Sequence, residues 1–344
     1  MIATEIVLPG IGEPETLEVR QRELPAPVAG EVAIRVEASG VSFAEQSMRR
    51  GLYPLQPKFP FVPGYDLVGV VTALGPGVTA LTIGQRVAAL TKTGGWADCV
   101  VLPAVGLVPV PDGVDPVEAE TLVVNGLTAW QMLHRRAHAR SGQTILVHGA
   151  NGGVGTTLVQ LARHAGIRVI GTAAPRHHQA LRALGVEPLD YNDPDLAGSV
   201  RRLVPGGVAA VFDHLGGSSV GRSFELLAPG GTLVPYAMIT DIKGARSMIP
   251  SFMALLARLA WWNMLPNGGR KATFYDVWSG HLVRRATFHK QMNEDLTQVF
   301  DLLAAGILKP QVAARLPLTQ ASDAMKLAES RTVFGKVVLV PGLV

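Results

Sequence analysis

Cysteine is almost absent from this chain, since Cys99 is the only one among 344 residues. One thiol cannot form an intramolecular disulfide, and it cannot supply the four thiolates of a Cys-rich zinc cluster. Aromatic residues are also scarce, at 6%, and we find no helix-turn-helix, zinc-finger or RRM pattern. Because nucleic acids are bound largely through such motifs or by stacking on aromatic rings, we expect no nucleic-acid partner.

Hydrophobic runs long enough for a membrane span are missing as well. The most apolar segment, 249–265 (IPSFMALLARLAWWNML), is interrupted by Pro250, Arg258 and Asn263 and is short for a bilayer. Helical spacing places on one face the apolar residues Ile249, Phe252, Met253, Leu256 and Leu259. This pattern predicts a buried helix at a subunit or substrate interface, with a helix on a membrane surface as the alternative.

Acidic residues are missing from one long stretch. None stands between Thr121 and Val186, although the net charge of the whole chain is only +4. The same stretch contains seven arginines, which are Arg135, Arg136, Arg140, Arg163, Arg168, Arg176 and Arg182. A positive region of this kind suits an anionic ligand such as a phosphate-bearing cofactor, and a solvated basic helix face is the alternative.

The composition that remains is typical of a globular protein, with 48% hydrophobic and 17% charged residues. Such a chain is too apolar to be disordered, and its length predicts two domains. The N-terminal residues include Glu5, Glu13 and Glu15 and no basic n-region. We therefore expect no secretory signal and a cytoplasmic protein without membrane contact.

Two different patterns of secondary structure divide the sequence at about residue 120. Before it, β-branched runs between Pro/Gly turns predict strands at 31–38, 67–74, 85–91 and 98–103. After it, strands alternate with helices: we expect strands at 144–148, 167–171, 209–212, 232–234 and 336–340, and helices at 154–165 and 179–184. The alternation predicts βαβ units and a parallel sheet, preceded by a mostly β domain.

A glycine-rich turn connects strand 144–148 to the next helix. It reads Gly149-Ala-Asn151-Gly152-Gly153-Val154-Gly155. Residues without a Cβ allow a tight turn and a close approach of a pyrophosphate, which the freed N–H groups and the helix dipole then hold. We therefore predict dinucleotide contacts at Asn151, Gly152, Gly153 and Val154; the alternative is a turn that only packs the helix on the strand.

The end of the following strand indicates which dinucleotide is bound. NAD sites carry an Asp or Glu there, which accepts a hydrogen bond from the ribose 2′-OH. Here the residues are Gly171-Thr172-Ala-Ala-Pro-Arg176-His177, without an acid. Arg176 and His177 could contact a 2′-phosphate, so we predict NADPH rather than NADH.

Together these features resemble the medium-chain dehydrogenase/reductase superfamily, in particular its zinc-free quinone oxidoreductase branch. Besides the glycine turn, the resemblance rests on Gly40-Val-Ser-Phe-Ala-Glu45, Gly51-Leu-Tyr53-Pro54, Phe61-Val-Pro-Gly64, Asn125-Gly-Leu-Thr128-Ala129, Phe212-Asp213-His-Leu-Gly-Gly217 and Gly335-Lys-Val-Val. The insertion Trp261-Trp262-Asn263 is similar to the vesicle-amine-transport subgroup.

The resemblance implies an α/β chain with two domains. A GroES-like β domain would comprise 1–121 and 290–344, around a Rossmann NADPH-binding domain with a doubly wound parallel sheet at 122–289. We also expect a homodimer that acts on a small-molecule substrate.

The resemblance also implies roles for individual residues. Tyr53 matches a tyrosine that related reductases place near the nicotinamide, so it is a candidate hydrogen-bond donor or acid; a packing tyrosine is the alternative. Ser42 is the second catalytic candidate, although the family commonly has Asn there, and Ser47 replaces a tyrosine of many quinone reductases. Thr128 matches a nicotinamide-contacting threonine, with a helix N-cap as the alternative. The remaining implied cofactor contacts are Thr172, Tyr191 and Phe334.

Zinc-dependent members of the superfamily carry a cysteine in the first motif and Gly-His-Glu in the next. This chain has Ser42 and Gly64-Tyr65-Asp66 at those places. His134 and His138 are four residues apart on a predicted helix but have no evident third ligand. We therefore expect no catalytic metal.

Without a metal to polarise an alcohol, conjugate reduction is the favoured chemistry. The sequence thus predicts NADPH-dependent hydride transfer to a quinone, or to a C=C bond conjugated to a carbonyl in an enone, a 2-alkenal or an enoyl thioester. The alternative is a catalytically weak NADPH-binding relative that acts through a membrane or protein partner at 249–265.

Overall fold

The computed structural model describes residues 2–242 and 247–343, without the side chains of residues 241 and 242. The chain divides into two compact units, Met1–Leu127 with Gly280–Val344, and Thr128–Ser279. The boundaries expected from the sequence, at 121 and 290, lie close to these divisions: residue 121 falls in the helix Pro116–Trp130, as the division after Leu127 also does, and residue 290 falls in the helix Arg285–Ala304. Strand and helix patterns do not reveal where along a continuous helix its packing partners change.

The first unit is mostly β. Its strands are β1 (Ile2–Val7), β2 (Glu18–Glu23), β3 (Glu31–Val41), β4 (Asp66–Leu74), β5 (Arg86–Leu90), β6 (Cys99–Pro103), β7 (Val108–Pro109), β14 (Val312–Pro317) and β15 (Lys336–Val340). Its helices are α1 (Phe43–Arg49), most of α2 (Pro116–Trp130), α8 (Arg285–Ala304) and α9 (Ala321–Glu329). The seven-stranded sheet has the order β14-β15-β3-β4-β5-β7 with β6 on β3, and β1 pairs with β2.

Residues near both ends of the sequence build this first sheet. Strand β15 pairs antiparallel with β3, with Val338 opposite Gly40, and β3 continues into the pairing with β4. The apolar residues of β3 to β5 pack into one cluster, which includes Ile34, Leu67 and Val87. The sheet therefore forms only when the C-terminal strands join the N-terminal ones.

The second unit is a parallel sheet with helices. In chain order its elements are β8 (Thr144–His148), α3 (Gly153–His164), β9 (Arg168–Ala173), α4 (His178–Ala183), β10 (Glu187–Asp190), α5 (Leu196–Leu203), β11 (Val208–Asp213), α6 (Ser219–Glu225), β12 (Leu227–Pro235), α7 (Ile249–Met264) and β13 (Lys271–Ala272). The strand order β10-β9-β8-β11-β12-β13 is the doubly wound Rossmann order. The predicted fold class is confirmed.

The strand order determines where this unit can bind a ligand. The chain order of the strands changes direction between β8 and β11: it runs from β8 through β9 to β10 on one side and from β11 through β12 to β13 on the other. Strands β8 and β11 are parallel and are paired through Leu146 and Val211. Ligands of open α/β sheets bind at the carboxyl ends of the strands at such a reversal. The glycine turn after β8 therefore lies at the expected binding edge.

Helix α7 corresponds to the apolar segment of the sequence, and the face that it buries matches the predicted one only in part. Of the predicted face, Leu259 is buried and Phe252 packs partly buried against the same core, whereas Ile249, Met253 and Leu256 are exposed. Leu255, which the spacing did not place on that face, is also buried. The helix is apolar on nearly all sides, so spacing alone could not identify the inward face. Within residues 2–242 and 247–343, no helix has both the length and the hydropathy to cross a bilayer.

Candidate functional site

The glycine turn of the second unit packs tightly at two positions and is open at a third. Gly149 has φ +63°, and a Cβ there would overlap the His214 ring. A Cβ on Gly155 would overlap the backbone of Gly149 and Ala150. At Gly152 the nearest atom to an added Cβ is the Gly149 carbonyl oxygen, at 3.5 Å. Two glycines thus allow the helix to pack on the strand, while the third leaves space for a ligand.

Helix α3 presents its N-terminus at this turn. Gly152 is the N-cap and offers no side-chain cap, and no acidic residue stands in the first turn. The first intrahelical bond runs from the Thr156 N–H to the Gly152 carbonyl, at 2.8 Å, so the helix does not use the amides of Gly153, Val154 and Gly155. An uncapped helix N-terminus attracts an anion such as a pyrophosphate.

A buried polar network lies beneath the turn, at the ends of β8, β9 and β11. His148 contacts the Thr172 hydroxyl through Nδ1 at 3.2 Å and the Ser223 hydroxyl through Nε2 at 3.0 Å. Ser223 donates to Asp213 at 2.7 Å, and Ser219 donates to the same carboxylate oxygen at 2.8 Å. We call these five residues the His148 network.

The His148 network is connected to the glycine turn through Thr172. The Gly149 N–H points to the Thr172 hydroxyl at 3.3 Å, and the Ala150 N–H donates to the Thr172 carbonyl at 3.0 Å. Thr172 is buried, so its hydroxyl contacts protein atoms below the turn. The structure therefore gives Thr172 a supporting place beneath the turn, and a direct contact with the cofactor stays a prediction.

Burial, charge and hydrogen bonds together shift the pKa values in this network. Burial lowers the pKa of His148, which favours a neutral ring. Burial alone would raise the pKa of Asp213, but the His148 ring and the hydroxyls of Ser223 and Ser219 lower it below its usual value. The network thus combines a neutral imidazole with a fully hydrogen-bonded carboxylate.

The predicted 2′-phosphate residues lie together after β9. Arg176 and His177 form a short 3-10 turn, and Arg176 Nε contacts His177 Nε2 at 3.2 Å. Burial, followed by the charge of Arg176, lowers the pKa of His177. Tyr191 is held at the end of the same strand, where its N–H donates to the Ala173 carbonyl at 3.3 Å. The Tyr191 ring is exposed. The cluster combines a cation, an imidazole and an accessible aromatic ring.

In the first unit, Ser42 is the N-cap of helix α1. Its hydroxyl accepts from the Ala44 N–H at 3.1 Å and donates to Glu45, whose carboxylate also accepts the Ser42 N–H at 2.9 Å. This capping box uses the Ser42 hydroxyl within the helix end. In place of direct catalysis, this geometry favours a role for Ser42 in holding the Glu45 carboxylate.

Glu45 is a buried residue that the motif reasoning overlooked. Its second carboxylate oxygen accepts the Tyr65 N–H at 2.7 Å, and burial is the main cause that raises the pKa of this group. The signal was present as Ser-x-x-Glu, the spacing of a capping box. Glu45 thus links the cap of α1 to the start of β4.

Tyr53, the first catalytic candidate, lies in the loop after α1 beside a second tyrosine. The Tyr53 and Tyr65 hydroxyl oxygens are 2.7 Å apart, and the two rings meet edge to face at 6.0 Å between centroids. The Lys92 ammonium lies 5.8 Å from the Tyr53 ring centroid. Tyr65 and Lys92 are further residues that sequence reasoning did not assign to the site.

A second buried polar cluster, the Lys336 cluster, lies at the start of β4 and β15. The Lys336 ammonium is 2.7 Å from carboxylate oxygens of both Asp66 and Glu120. The other oxygens, Asp66 Oδ1 and Glu120 Oε2, accept no hydrogen bond from the described residues. Burial, followed by the charge of Asp66, raises the pKa of Glu120 well above its usual value. A single ammonium thus lies against two buried carboxyl groups.

The remaining predicted residues lie on α1, on α2 and before β15. Thr128 is buried near the end of α2, far along the helix from its start, so the alternative of an N-cap is wrong. Phe334 precedes Gly335 and β15 in the first unit, and its cofactor contact stays a prediction. Ser47 is buried in α1 and donates to the Phe43 carbonyl at 2.9 Å.

The two histidines considered as a metal pair do not share one helix. His134 lies in a π-helical turn, Gln131–Arg136, with its ring 4.3 Å from Trp130, whereas His138 follows that turn with φ +48°. Across the described ranges 2–242 and 247–343, no group of three or more His, Cys, Asp or Glu side chains could hold a metal.

Two family descriptions match the chain. Residues 28–112 match the "Alcohol dehydrogenase GroES-like domain" and residues 184–339 match "Zinc-binding dehydrogenase". The positions that the resemblance assigns to the zinc-binding motif hold Tyr65 and Asp66 in this chain.

Individual relatives cover nearly the whole chain. The mouse synaptic vesicle membrane protein VAT-1 homolog is 34% identical over 98% of this chain and 83% of the relative. A 2-haloacrylate reductase from Burkholderia sp is 29% identical, with 96% of each chain covered. The structure of mycobacterial Rv1454c complexed with NADPH has a TM-score of 0.83 and 30% identity, over 98% of this chain and 100% of the other. The chain belongs to the medium-chain dehydrogenase/reductase superfamily of oxidoreductases, in its zinc-free quinone oxidoreductase branch.

Proposed function

We propose that this chain transfers a hydride from NADPH to a quinone, or to a C=C bond conjugated to a carbonyl, without a metal. The observation that carries the proposal is the binding edge of the second unit. There the uncapped N-terminus of α3 follows an open glycine, and Arg176 with His177 takes the place of the acid of an NAD site. This donor set suits a dinucleotide that carries an additional phosphate.

Different residues of the chain would hold different parts of the cofactor. The amides of Gly153 and Val154 would hold the pyrophosphate, beside Asn151 and the open Gly152. Arg176 and His177 would hold the 2′-phosphate, and the exposed Tyr191 ring would cover the adenine. Thr128 and Phe334 are proposed as contacts to the rest of the dinucleotide. Bound NADPH would supply the hydride from C4 of its nicotinamide.

Tyr53 is proposed as the hydrogen-bond donor to the substrate. When a hydride reaches the β-carbon of an enone, negative charge collects on the carbonyl oxygen, and the α-carbon must later take a proton. A phenol can stabilise that charge by donation and can deliver the proton. Ser42 acts indirectly, because its hydroxyl holds Glu45, and Glu45 holds the backbone of Tyr65.

The substrate class draws support from the names of relatives. The Burkholderia relative is a 2-haloacrylate reductase, and 2-haloacrylate carries a C=C bond conjugated to a carboxyl carbon. A Pseudomonas syringae quinone oxidoreductase has a TM-score of 0.84 and 29% identity to this chain. 2-Haloacrylate and a quinone both contain a C=C bond conjugated to a C=O group.

The test of the reaction is NADPH oxidation with a panel of quinones, 2-alkenals, enoyl thioesters and 2-haloacrylate. We expect turnover with at least one class, and a Tyr53→Phe chain should lose about 10²–10³ in kcat with little change in NADPH affinity. Unchanged turnover of Tyr53→Phe on every active substrate would return Tyr53 to a packing role. No turnover on the whole panel would defeat the proposed function.

Cofactor choice is tested by binding. Replacing Arg176 and His177 with Ala should raise the Kd for NADPH about tenfold or more and leave the Kd for NADH nearly unchanged, since a charged phosphate contact is lost. Arg182→Ala, an exposed arginine on α4, is the matched control. Equal Kd values for both cofactors in the unaltered chain would contradict the preference for NADPH.

A second candidate function rests on the outer face of helix α7. Its exposed apolar residues are Ile249, Met253, Leu256, Trp261 and Met264, more than an isolated surface helix normally presents. A chain that binds NADPH but works through a protein or membrane partner would use this face. Co-sedimentation with anionic vesicles tests for a membrane, and sedimentation velocity tests the homodimer; Met253→Lys should abolish either association.

A further inference from the structure

The Tyr65 side chain is buried, and its hydroxyl meets that of Tyr53. Tyr65 is 5% exposed, and the oxygen–oxygen distance of 2.7 Å is the usual length of a strong O–H···O hydrogen bond. A buried phenol without a hydrogen bond would be costly, so the pairing determines where the Tyr65 hydroxyl points. A proton leaving Tyr53 would leave its oxygen within reach of the Tyr65 hydroxyl.

The backbone of Tyr65 is held on both sides. Its N–H donates to the Glu45 carboxylate at 2.7 Å. Its carbonyl accepts the N–H groups of Thr91 and Lys92 at 2.9 and 3.1 Å. With both backbone groups bonded and the side chain buried, the Tyr65 hydroxyl has little freedom to move away from Tyr53. The pair is therefore organised before any substrate arrives.

Lys92 adds a positive charge beside the same pair. It has φ +66°, a conformation that costs a residue with a side chain about 1–2 kcal/mol. Its ammonium nevertheless lies 5.8 Å from the Tyr53 ring centroid. Strain of this kind persists where the surrounding structure requires it, and here it accompanies a cation beside the Tyr53 ring.

We propose that Tyr65 is a positioning residue for proton transfer: its hydroxyl donates to Tyr53 and returns a proton to it. This inference rests on the proposed role of Tyr53 as the acid. Tyr53 gives its O–H proton to the α-carbon and keeps the bonding electron pair. The Tyr65 proton then moves to the Tyr53 oxygen, and a solvent proton restores Tyr65. The substrate gains one hydride, which carries both electrons, and one proton that originates in solvent.

The first test needs no substrate. The chain has five tyrosines, so ring-labelled ¹³Cζ NMR can follow the ionisation of each one with pH. Removing a hydrogen bond to the charged form in Tyr65→Phe should move the ionisation of Tyr53 about one to two pH units upward. Tyr275→Phe is the matched control, because Tyr275 is also buried and donates to Gln131 at 2.9 Å.

The outcomes of the titration are distinct. A shift in Tyr65→Phe and none in Tyr275→Phe supports the coupling of the two hydroxyls. A Tyr53 transition at the same pH in the unaltered chain and in Tyr65→Phe overturns the inference, whatever the enzyme's activity. Circular dichroism of both variants verifies that each one has folded.

The second test uses any substrate that the unaltered chain reduces. Tyr65→Phe should lower kcat about tenfold with little change in KM, and should move the alkaline limb of the pH profile upward by the same interval as the titration. In a Tyr53→Phe background, the Tyr65→Phe change should have no further effect on kcat, because its target hydroxyl is gone. Independent, multiplying losses would contradict the relay.

Failure of the proposed function looks different from failure of this inference. If the chain reduces no substrate of the panel, the proposed reaction fails, yet the titration still decides whether Tyr65 acts on Tyr53. If the chain is active but the double variant shows independent losses, the reaction stands and Tyr65 has only a packing role.

Discussion

The Lys336 cluster and the His148 network reach electrical balance in opposite ways. The Lys336 cluster places one ammonium against two carboxyl groups and leaves an oxygen of each without a hydrogen bond from the described residues. The His148 network surrounds one carboxylate, Asp213, with hydroxyl and backbone donors, including the Leu215 N–H at 2.8 Å. The first depends on ion pairing, and the second depends on hydrogen bonds from uncharged donors to a carboxylate.

The ionisable groups of the Lys336 cluster and of the His148 network respond to pH in opposite directions. The pKa of Glu120 is raised, so its favourable contribution is complete below the usual Glu value and is lost as pH rises through the folded pKa. The pKa values of His148 and Asp213 are lowered, so their contributions are lost as pH falls, first near the usual His value and then in acid. The contribution of Glu120 is thus lost towards alkaline pH, and those of His148 and Asp213 are lost towards acidic pH.

The largest effect should come from removing the only cation of the Lys336 cluster. Lys336→Met leaves two buried carboxyl groups without a counter-charge, and we expect a loss of about 3–5 kcal/mol in the free energy of unfolding. Urea denaturation measures it. Lys326→Met, at an exposed ion pair with Glu15, should cost no more than about 1 kcal/mol. Equal losses in the two variants would show that burial does not increase the contribution of the Lys336 cluster to stability.

A smaller effect is expected from Asp213→Asn in the His148 network. The amide group would face the Ser219 and Ser223 hydroxyls and backbone N–H groups that now donate to a carboxylate, at a cost of about 1–3 kcal/mol. Because the network supports the glycine turn, NADPH affinity should also fall. Asp195→Asn, where the exposed Asp caps α5, is the control and should be nearly neutral. If Asp213→Asn bound NADPH as tightly as the unaltered chain, the His148 network would have no role in NADPH binding.

The sign of the Lys336 cluster's pH response is tested by Glu120→Gln, which resembles the protonated acid. Its stability relative to the unaltered chain should rise with pH above the usual Glu value, with a slope of up to about 1.4 kcal/mol per pH unit. Urea denaturation at several values between pH 5 and 8 measures the difference. A difference that stays constant over this range would mean that Glu120 ionises normally.

The smallest expected effect concerns the link between the network and the turn. Thr172→Val keeps the shape but removes the acceptor for the Gly149 N–H, which should cost about 0.5–1.5 kcal/mol. NADPH affinity should fall several-fold, as measured by fluorescence titration. Thr121→Val, at a buried helix threonine that donates to the Val117 carbonyl in the preceding turn, is the control and should leave NADPH affinity unchanged. Equal affinities in both variants would contradict a role for Thr172 in supporting the turn.

The same comparison shows what a sequence can predict. Strand 144–148, the glycine turn and the following helix are encoded within about twenty contiguous residues, and the structure confirms the strand to the residue. The Lys336 cluster joins residues that are 216 and 270 positions apart, so no local pattern could bring them together. Sequence spacing identifies elements, whereas contacts between distant residues depend on the complete fold.

The direction in which a side chain points is a second property that sequence spacing does not predict. Thr172 comes directly after the predicted strand 167–171, and only the structure shows that it extends that strand and that its hydroxyl contacts His148 beneath the turn. Helix α7 was predicted from its apolar residues, yet a helix that is apolar on most sides does not identify its buried face. The Ser42–Glu45 capping box, by contrast, was readable from its spacing and was overlooked.

The pairing of β15 with β3 has a consequence for synthesis on the ribosome. Residues 128–279 are contiguous, so the second unit can close before the last strands are made. The first unit must wait for Lys336, and until then Asp66 and Glu120 have no cation beside them. The first sheet therefore stays incomplete for most of translation, and a stop codon shortly before Lys336 would leave β3 without β15 on its other edge.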